Sequence, residues 1–559
     1  MKKHILIGSS DFKEFIEQQA CYIDKTAMIE ELMTNNHAKV SLFPRPRRFG
    51  KTLNMSMLKH FFDVDQAEEN RKLFKGLAVE QSKAWGHQGK YPVIFLTLKE
   101  LTTSSSEVFR QKLISLLSAT IRNQFRFLLN SDQLDEFDID YLKAIVSGTI
   151  NAGGLENFLR EFSNILYRHH GVAPVILIDE YDAPIHSAFT HGYLPEMLEF
   201  MRNFLSAGFK DNPNLTKGII TGILRVSKAN IFSGLNNIKT YSILNHQFSD
   251  CFGLTQAEVD QLLIDANCQE QSEDVAEWYN GYSFGGSSKI YNPWSILNFV
   301  GNLRDGLIPY WVNTSSNDLI KEILPKAEKT TQDLLFGLLE GKTFEADVED
   351  SMTFEDLYKG KSATVLGLLL FSGYLTTDGY SPSRRQRLRI PNLEIKQMYE
   401  RILEQYLEAT NIRQGHLIGS FLRQEPATFA DLLERFFLNS FSFFDFDHLG
   451  ESPEKIYHAF MLGLMTHLSG DYHVKSNRES GLGRSDIIIY PKDNSNPKAW
   501  VLEFKKKNKD IKESLQELAD MALEQIKTKQ YYSELKEAGH TEILAMGVAF
   551  NGKEVACAW

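Results

Sequence analysis

Two short stretches constrain the fold of this chain more than anything else in it. Residues 38–43, Ala-Lys-Val-Ser-Leu-Phe, read as a buried strand. A basic loop follows, Arg45-Pro46-Arg47-Arg48-Phe49, then Gly50-Lys51-Thr52, and then a helical run from Thr52 to Phe62. Residues 174–178, Pro-Val-Ile-Leu-Ile, form a second apolar strand that ends on Asp179-Glu180. A strand, a Gly-Lys-Thr turn and a helix, with a later strand tipped by acids, is the pattern of a phosphate-binding α/β sheet.

The residue types fit that chemistry. Gly50 lets backbone amides approach phosphate oxygens. Lys51 brings an ammonium to the β- and γ-phosphates, the Thr52 hydroxyl can ligate magnesium, and the helix start turns its positive end toward the anion. Asp179 is placed to hold the metal and Glu180 to polarise the attacking water. The usual loop reads GxxxxGK[ST], and Arg45 stands where its first glycine belongs. Arg45, Arg47 and Arg48 read as positive charge beside the phosphates, standing in for an arginine finger or binding acids of a neighbouring segment. Thr221 and Arg225, on a strand at 217–226, read either as γ-phosphate sensors or as satisfied polar groups. Asp182 reads as a metal helper or as the start of a turn before Pro184.

Further strands at 92–98 and 217–226 alternate with helical patterns at 107–129 and 154–169, which predicts a parallel α/β sheet. At Leu254 the character changes. Thr255 followed by Glu258 predicts a helix with a capping box. Residues 255–420 read mainly as helix, with short extended pieces near 288–291 and 386–390. The expected domains are 1–250, a phosphate-loop domain; 251–330, a helical lid; 331–424, a helical connecting domain; and 425–559, a second α/β domain. The last of these is expected to hold a helix at 453–467, strands at 483–490 and 499–504, and a helix at 511–537.

Composition bounds the rest. The 559 residues carry a formal net charge of −11, unlike a strongly basic non-specific nucleic-acid binder. A local basic groove remains compatible, because screening confines fields to about 8–10 Å. The four cysteines, Cys21, Cys251, Cys268 and Cys557, form no CxxC pair. They argue against structural zinc and for a reducing cytoplasm. The most apolar stretch, Val365 to Leu375, is too short to span a bilayer, so no membrane partner is expected.

A second constellation lies near the C-terminus. Asp486 sits in Gly483-Arg-Ser-Asp-Ile-Ile-Ile-Tyr490, and Glu503 and Lys505 sit in Trp500-Val-Leu-Glu-Phe-Lys505. Side chains alternate along a strand, so Glu503 and Lys505 share one face and Leu502 and Phe504 the other. A neighbouring strand can bring Asp486 beside them. Two carboxylates then bind a divalent metal and the lysine steadies the attacking water, the chemistry of metal-assisted phosphodiester hydrolysis. Hard oxygen ligands favour Mg2+, with Mn2+ as the substitute. The lysines from Lys505 to Lys509 add a basic patch, which reads either as a phosphate-backbone surface or as a solvated face.

The segment Phe43-Pro-Arg-Pro-Arg-Arg-Phe-Gly-Lys-Thr-Leu-Asn54 resembles the signature of the AAA-ATPase-like family of bacterial and archaeal proteins. So do Tyr22-Ile-Asp-Lys-Thr26, Leu177-Ile-Asp-Glu-Tyr-Asp182, Trp278-Tyr-Asn-Gly-Tyr282, Tyr291-Asn-Pro-Trp-Ser295 and Asn313-Thr-Ser-Ser-Asn317. An arginine at the first loop glycine is typical of that family. Members often end in a PD-(D/E)XK nuclease-superfamily domain, with a restriction-endonuclease-like α/β fold, and residues 425–559 look the same. The resemblance implies an ATP-binding protein with roles in phage defence or mobile-element biology. It also implies that Glu454, with His458 one turn on, is the first-helix acid of the nuclease site, and that Gln525 is its supporting polar residue.

The leading expectation is an ATPase coupled to a metal-dependent nuclease acting on DNA. Its catalytic residues would be Glu180, Asp486, Glu503 and Lys505. Arg48, Gly50, Lys51, Thr52 and Asp179 would hold ATP, and Thr52, Asp179, Asp486, Glu503 and Glu454 would hold metal. A homo-oligomer and an unidentified protein partner are both compatible. The alternative is a nucleotide-gated switch whose nuclease-like domain binds nucleic acid without cutting it. A ring-forming motor ranks below both, because no arginine stands out as reaching a neighbour's site.

Overall fold

Five apolar runs build the first sheet of the computed structural model: β1 (Val40–Pro44), β2 (Val93–Thr97), β3 (Val175–Asp179), β4 (Lys217–Gly222) and β5 (Ile238–Thr240). All are parallel, in the order β2-β3-β4-β1-β5. Every residue of β1, β3 and β4 is buried, as expected of strands covered on both faces. The register sets Phe43 beside Thr221 and Thr97 beside Asp179, so the loop after β1 and the acids after β3 leave the same sheet edge, with β4 between them. Ligands bind at that edge in open α/β sheets. The structure describes residues 4–35, 37–223, 231, 237–286, 288–312, 331, 334, 338, 343–349, 356–357, 359–379, 381, 385–408, 414–440, 461, 465, 468, 471–480, 483–493, 496–507, 512–551 and 554–559. It falls into two units, Met1–Thr331 with Thr343–Ile395, and Gln332–Lys342 with Lys396–Trp559.

Within the first unit, the expected capping box is present. The Thr255 hydroxyl accepts from the Glu258 amide, the Glu258 carboxylate accepts from the Thr255 amide, and the helix Gln256–Ala266 follows. Glu258 also takes both bonds from the Lys25 ammonium at 2.7 and 2.8 Å, which ties the Tyr22–Thr26 segment to this helix. The region read as mainly helical contains both expected extended pieces, near 288–291 and 386–390, each paired with further short strands. β6 (Leu254–Thr255), β7 (Tyr282–Phe284) and β8 (Ser288–Tyr291) form a small antiparallel sheet, β6-β8-β7. β9 (Phe344–Asp347), β10 (Thr376–Thr377) and β11 (Arg385–Arg389) form another, β10-β11-β9. Among the described residues no helix is long and apolar enough to cross a membrane.

The second unit is built on β12 (Tyr472–Ser480), β13 (Gly483–Pro491), β14 (Lys498–Lys506), β15 (Glu542–Asn551) and β16 (Glu554–Ala558), in that spatial order. Only the β14–β15 pair is parallel. β13 and β14 answer the two expected strands. The expected terminal helix is two, Leu515–Lys529 and Ser533–Glu537, interrupted at Gln530, whose φ is 54°. Trp500, Leu502 and Phe504 pack on one face of β14 with Phe421 and Phe429, and the Trp500 indole donates to the Phe421 carbonyl at 3.0 Å. On the other side the Leu515–Lys529 helix lies directly on β15 at Gly547. A Cβ there would meet the Ala519 carbonyl oxygen at 2.2 Å, so only glycine allows this approach. The helix expected at 453–467, with Glu454 and His458, lies outside the described residues apart from isolated positions, as does Arg225.

Candidate nucleotide and nuclease sites

The first site starts with a turn that glycine makes affordable. Gly50 caps the Lys51–Phe62 helix in the left-handed region, with φ 83°, where a Cβ is disfavoured. Arg48 before it also has positive φ, 69°, and so has Glu180 after β3, at 51°. Non-glycine residues held there mark sites where the surroundings impose the conformation.

The structure brings Thr52 and Asp179 together. The Thr52 hydroxyl donates to one Asp179 oxygen at 2.8 Å, and the Thr221 hydroxyl donates to the other at 2.5 Å. Thr221 thereby has the satisfied-polar role. Two hard oxygens from residues distant in sequence meet beside the glycine turn, a donor set suited to magnesium. Asp182 is buried, and its carboxylate accepts the Ile223 amide at 2.9 Å. Lys51 is buried, and its ammonium donates to the carbonyls of Arg45 and Pro46 at 3.1 and 3.0 Å. Burial lowers its pKa, partly offset by Glu180, Asp179 and Asp182. Burial raises the Glu180 carboxyl above its ordinary range; Lys51 pulls it back, and the neighbouring acids push it further up.

Arg45 departs from the sequence reading. Its side chain does not line the cavity at the Gly50-Lys51-Thr52 loop but is fully buried. Its guanidinium donates to the carbonyls of Pro44 (2.9 Å), Tyr241 (2.5 Å) and Phe248 (3.0 Å), and lies 4.8 Å from the Phe252 ring centre. Phe49 is likewise buried, against Tyr282 and Phe284. The loop is therefore held from outside by the segments 241–252 and 282–284. Arg45→Ala strands three buried carbonyls and opens a cavity. It should cost about 3 kcal/mol or more, a melting-temperature drop of roughly 4 °C or more for a unit of this size in thermal unfolding.

A cavity of about 810 Å3 runs from this loop along the helix Pro293–Gly301. Lys51, Thr52 and Glu180 belong to its wall, and so do Ile7, Trp294 and Leu297. Arg48 reaches over the Trp294 ring at 3.9 Å. Sequence reading gave Trp294 no role, since its motif lies far along the chain. Behind this wall is Glu394, fully buried, which accepts from the Ser295 hydroxyl at 2.8 Å and the Trp311 amide at 2.6 Å. Burial pushes its pKa up to about 7. The folded form thus holds this proton more tightly than the unfolded chain, and stability falls as pH rises from about 4.5 to about 7. The span corresponds to about 3 kcal/mol. Glu394→Gln, which mimics the protonated acid, should raise the melting temperature at about pH 8 and leave it nearly unchanged at about pH 5. An equal gain at both values would contradict this.

At the second site β13 and β14 pair from Ile489–Trp500 to Ile487–Leu502, which carries Asp486 to the side of Glu503. Asp486 accepts the Phe504 amide at 2.7 Å, and its own amide donates to Glu503 at 3.4 Å. Gln525 bridges the pair sequence reading placed on one face: its amide nitrogen donates to Glu503 and its oxygen accepts from Lys505 at 2.9 Å. Tyr531, missed in the sequence, lies 3.3 Å from the same nitrogen through its hydroxyl. The two carboxylates suit a hard divalent ion that keeps several waters. Among the described residues there is no cluster of three or more His, Cys, Asp or Glu placed to hold a metal.

Comparison with known proteins agrees with both geometries. Residues 6–232 match the family described as "Predicted AAA-ATPase", and residues 452–559 match the PD-(D/E)XK nuclease superfamily. An uncharacterized protein in the vnfD 5' region of Azotobacter chroococcum mcd 1 is 26% identical over 572 residues, covering 98% of this chain and 97% of the relative. The chain therefore carries an AAA-ATPase-like domain at residues 6–232 and a PD-(D/E)XK nuclease-superfamily domain at residues 452–559.

Proposed function

We propose that this protein binds and hydrolyses ATP at the Gly50-Lys51-Thr52 loop and cleaves DNA at Asp486, Glu503 and Lys505, the first activity governing the second, in phage defence or mobile-element biology. The observation that carries the nucleotide half is the Thr52–Asp179 hydrogen bond, which joins the two halves of the site. In use, Lys51 would leave the carbonyls of Arg45 and Pro46 for phosphate oxygens, and Glu180 would orient and take a proton from the attacking water. Thr52 and Asp179 would hold magnesium, which offsets phosphate charge when bound.

At the nuclease site Asp486 and Glu503 would hold Mg2+ or Mn2+, with Glu454 as a third ligand, and the ion would polarise the scissile phosphate. Lys505, steadied by Gln525, would keep the attacking water in line and stabilise the charge that develops. The segment 251–330 is assigned as a lid on the nucleotide and 331–424 as a connector. The coupling is inferred from the presence of both sites on one chain.

Cleavage of linear and circular DNA, with magnesium and with or without ATP, tests this in wild type, Lys51→Ala and Asp486→Ala. Asp486→Ala should abolish cleavage in every condition. Lys51→Ala should remove only the ATP-dependent part. Cleavage undiminished in Asp486→Ala sinks the nuclease assignment. Tight ATP binding without cleavage in any metal favours a nucleotide-gated binder.

A further inference from the structure

We propose that Trp294 is the platform on which the nucleobase stacks, and that Arg48 covers this platform until a nucleotide arrives. The inference rests on the reading that the Gly50-Lys51-Thr52 loop binds a nucleoside triphosphate. That loop accounts for the phosphates and leaves the base unplaced. The cavity lined by Lys51 and Thr52 is lined as well by the apolar side chains of Trp294, of Leu297 one turn on, and of Ile7.

The Trp294 ring is held for such a purpose. Asn292 caps its helix by accepting the Trp294 amide at 2.9 Å, and the indole nitrogen donates to the Tyr310 carbonyl at 3.3 Å. These bonds hold the ring in place at the cavity, which Trp294 and Arg48 both line. Ile7 is 40% exposed, a large apolar side chain at the cavity rim with surface left to cover. On the indole face lies the Arg48 guanidinium, 3.9 Å from the ring centre. A guanidinium is flat and delocalised, and it occupies the space a purine ring would take.

The exchange is favourable by charge. The guanidinium over the half-buried Trp294 ring is held by a cation–π contact, whereas Arg48 stands three residues before Lys51 and can pair with phosphate oxygens through stronger charge-assisted bonds. Phosphate arrival would draw Arg48 off the ring and uncover it for the base. Every base has a π-face, so stacking alone discriminates poorly between adenine and guanine.

The test measures binding of a non-hydrolysable ATP analogue, the matching GTP analogue and inorganic tripolyphosphate to the full-length protein. Wild type is compared with Trp294→Ala, Trp294→Phe and Lys51→Ala, each checked by its thermal melt. Trp294→Ala should weaken both nucleotides about ten- to a hundred-fold and leave tripolyphosphate within about two-fold. Trp294→Phe keeps a flat ring and should recover most of the loss. Lys51→Ala should weaken all three ligands. Equal losses for nucleotide and tripolyphosphate in Trp294→Ala, or no loss for either, would overturn the platform while leaving the phosphate loop in place. Wild type that binds none of the three would overturn the phosphate loop, and the platform with it.

Discussion

Glu180→Gln should bind ATP with nearly wild-type affinity and hydrolyse it about 10^2- to 10^4-fold more slowly, the usual contribution of a positioned general base. The substitution keeps shape and hydrogen bonding but cannot accept the proton from water. Separate measurements of nucleotide affinity and phosphate release distinguish this from a binding defect. The wild-type protein should carry a second signature. Burial and the acids at 179 and 182 raise the Glu180 carboxyl, against the pull of Lys51. As a base it works only when ionised, so turnover should fall on acidification at a pH above the ordinary glutamate value of 4.5. A profile flat down to that value would remove Glu180 from the base role.

Asp486→Asn and Glu503→Gln should each lower DNA cleavage about 10^3-fold or more, because each removes a carboxylate from the proposed metal site, where a bound ion would supply several kcal/mol of transition-state stabilisation. Gln525→Ala should fall by less, about 10- to 100-fold, as expected of a group that orients ligands without binding the metal. The graded order is the informative outcome. Gln525 bonds both Glu503 and Lys505, so its loss loosens the positioning of two side chains without removing either of them. Cleavage rates across a magnesium titration separate the cases: excess metal should partly rescue Gln525→Ala and leave Glu503→Gln inactive.

Much of both sites was legible because their chemistry is local in sequence. β1 and β3 are largely apolar runs that lead into the residues that matter, and β13 and β14 carry apolar runs, Ile487–Ile489 and Ala499–Leu502, beside Asp486 and Glu503. The Thr255–Glu258 box announced a helix start for the same reason. What escaped depends on distant partners. A Pro/Arg loop reads as exposed, and nothing near Arg45 indicates that carbonyls at 241 and 248 will enclose it. β12 is polar along most of its length and lies at a sheet edge, and β15 mixes Ala, Met and Gly, so neither carries a strand signature. β5 is three residues long. Trp294 sits in a motif whose spacing says nothing of the cavity it lines.

The buried guanidinium of Arg45 has one more consequence. A glycine in its place would let the loop change shape independently. The arginine instead makes loop geometry and the order of residues 241–252 a single thermodynamic variable. Linkage is reciprocal, so a phosphate whose binding at Lys51 tightened the loop would also hold Tyr241 and Phe248 more firmly. Amide exchange in that segment then becomes a gauge of nucleotide occupancy, readable at residues that touch no nucleotide at all.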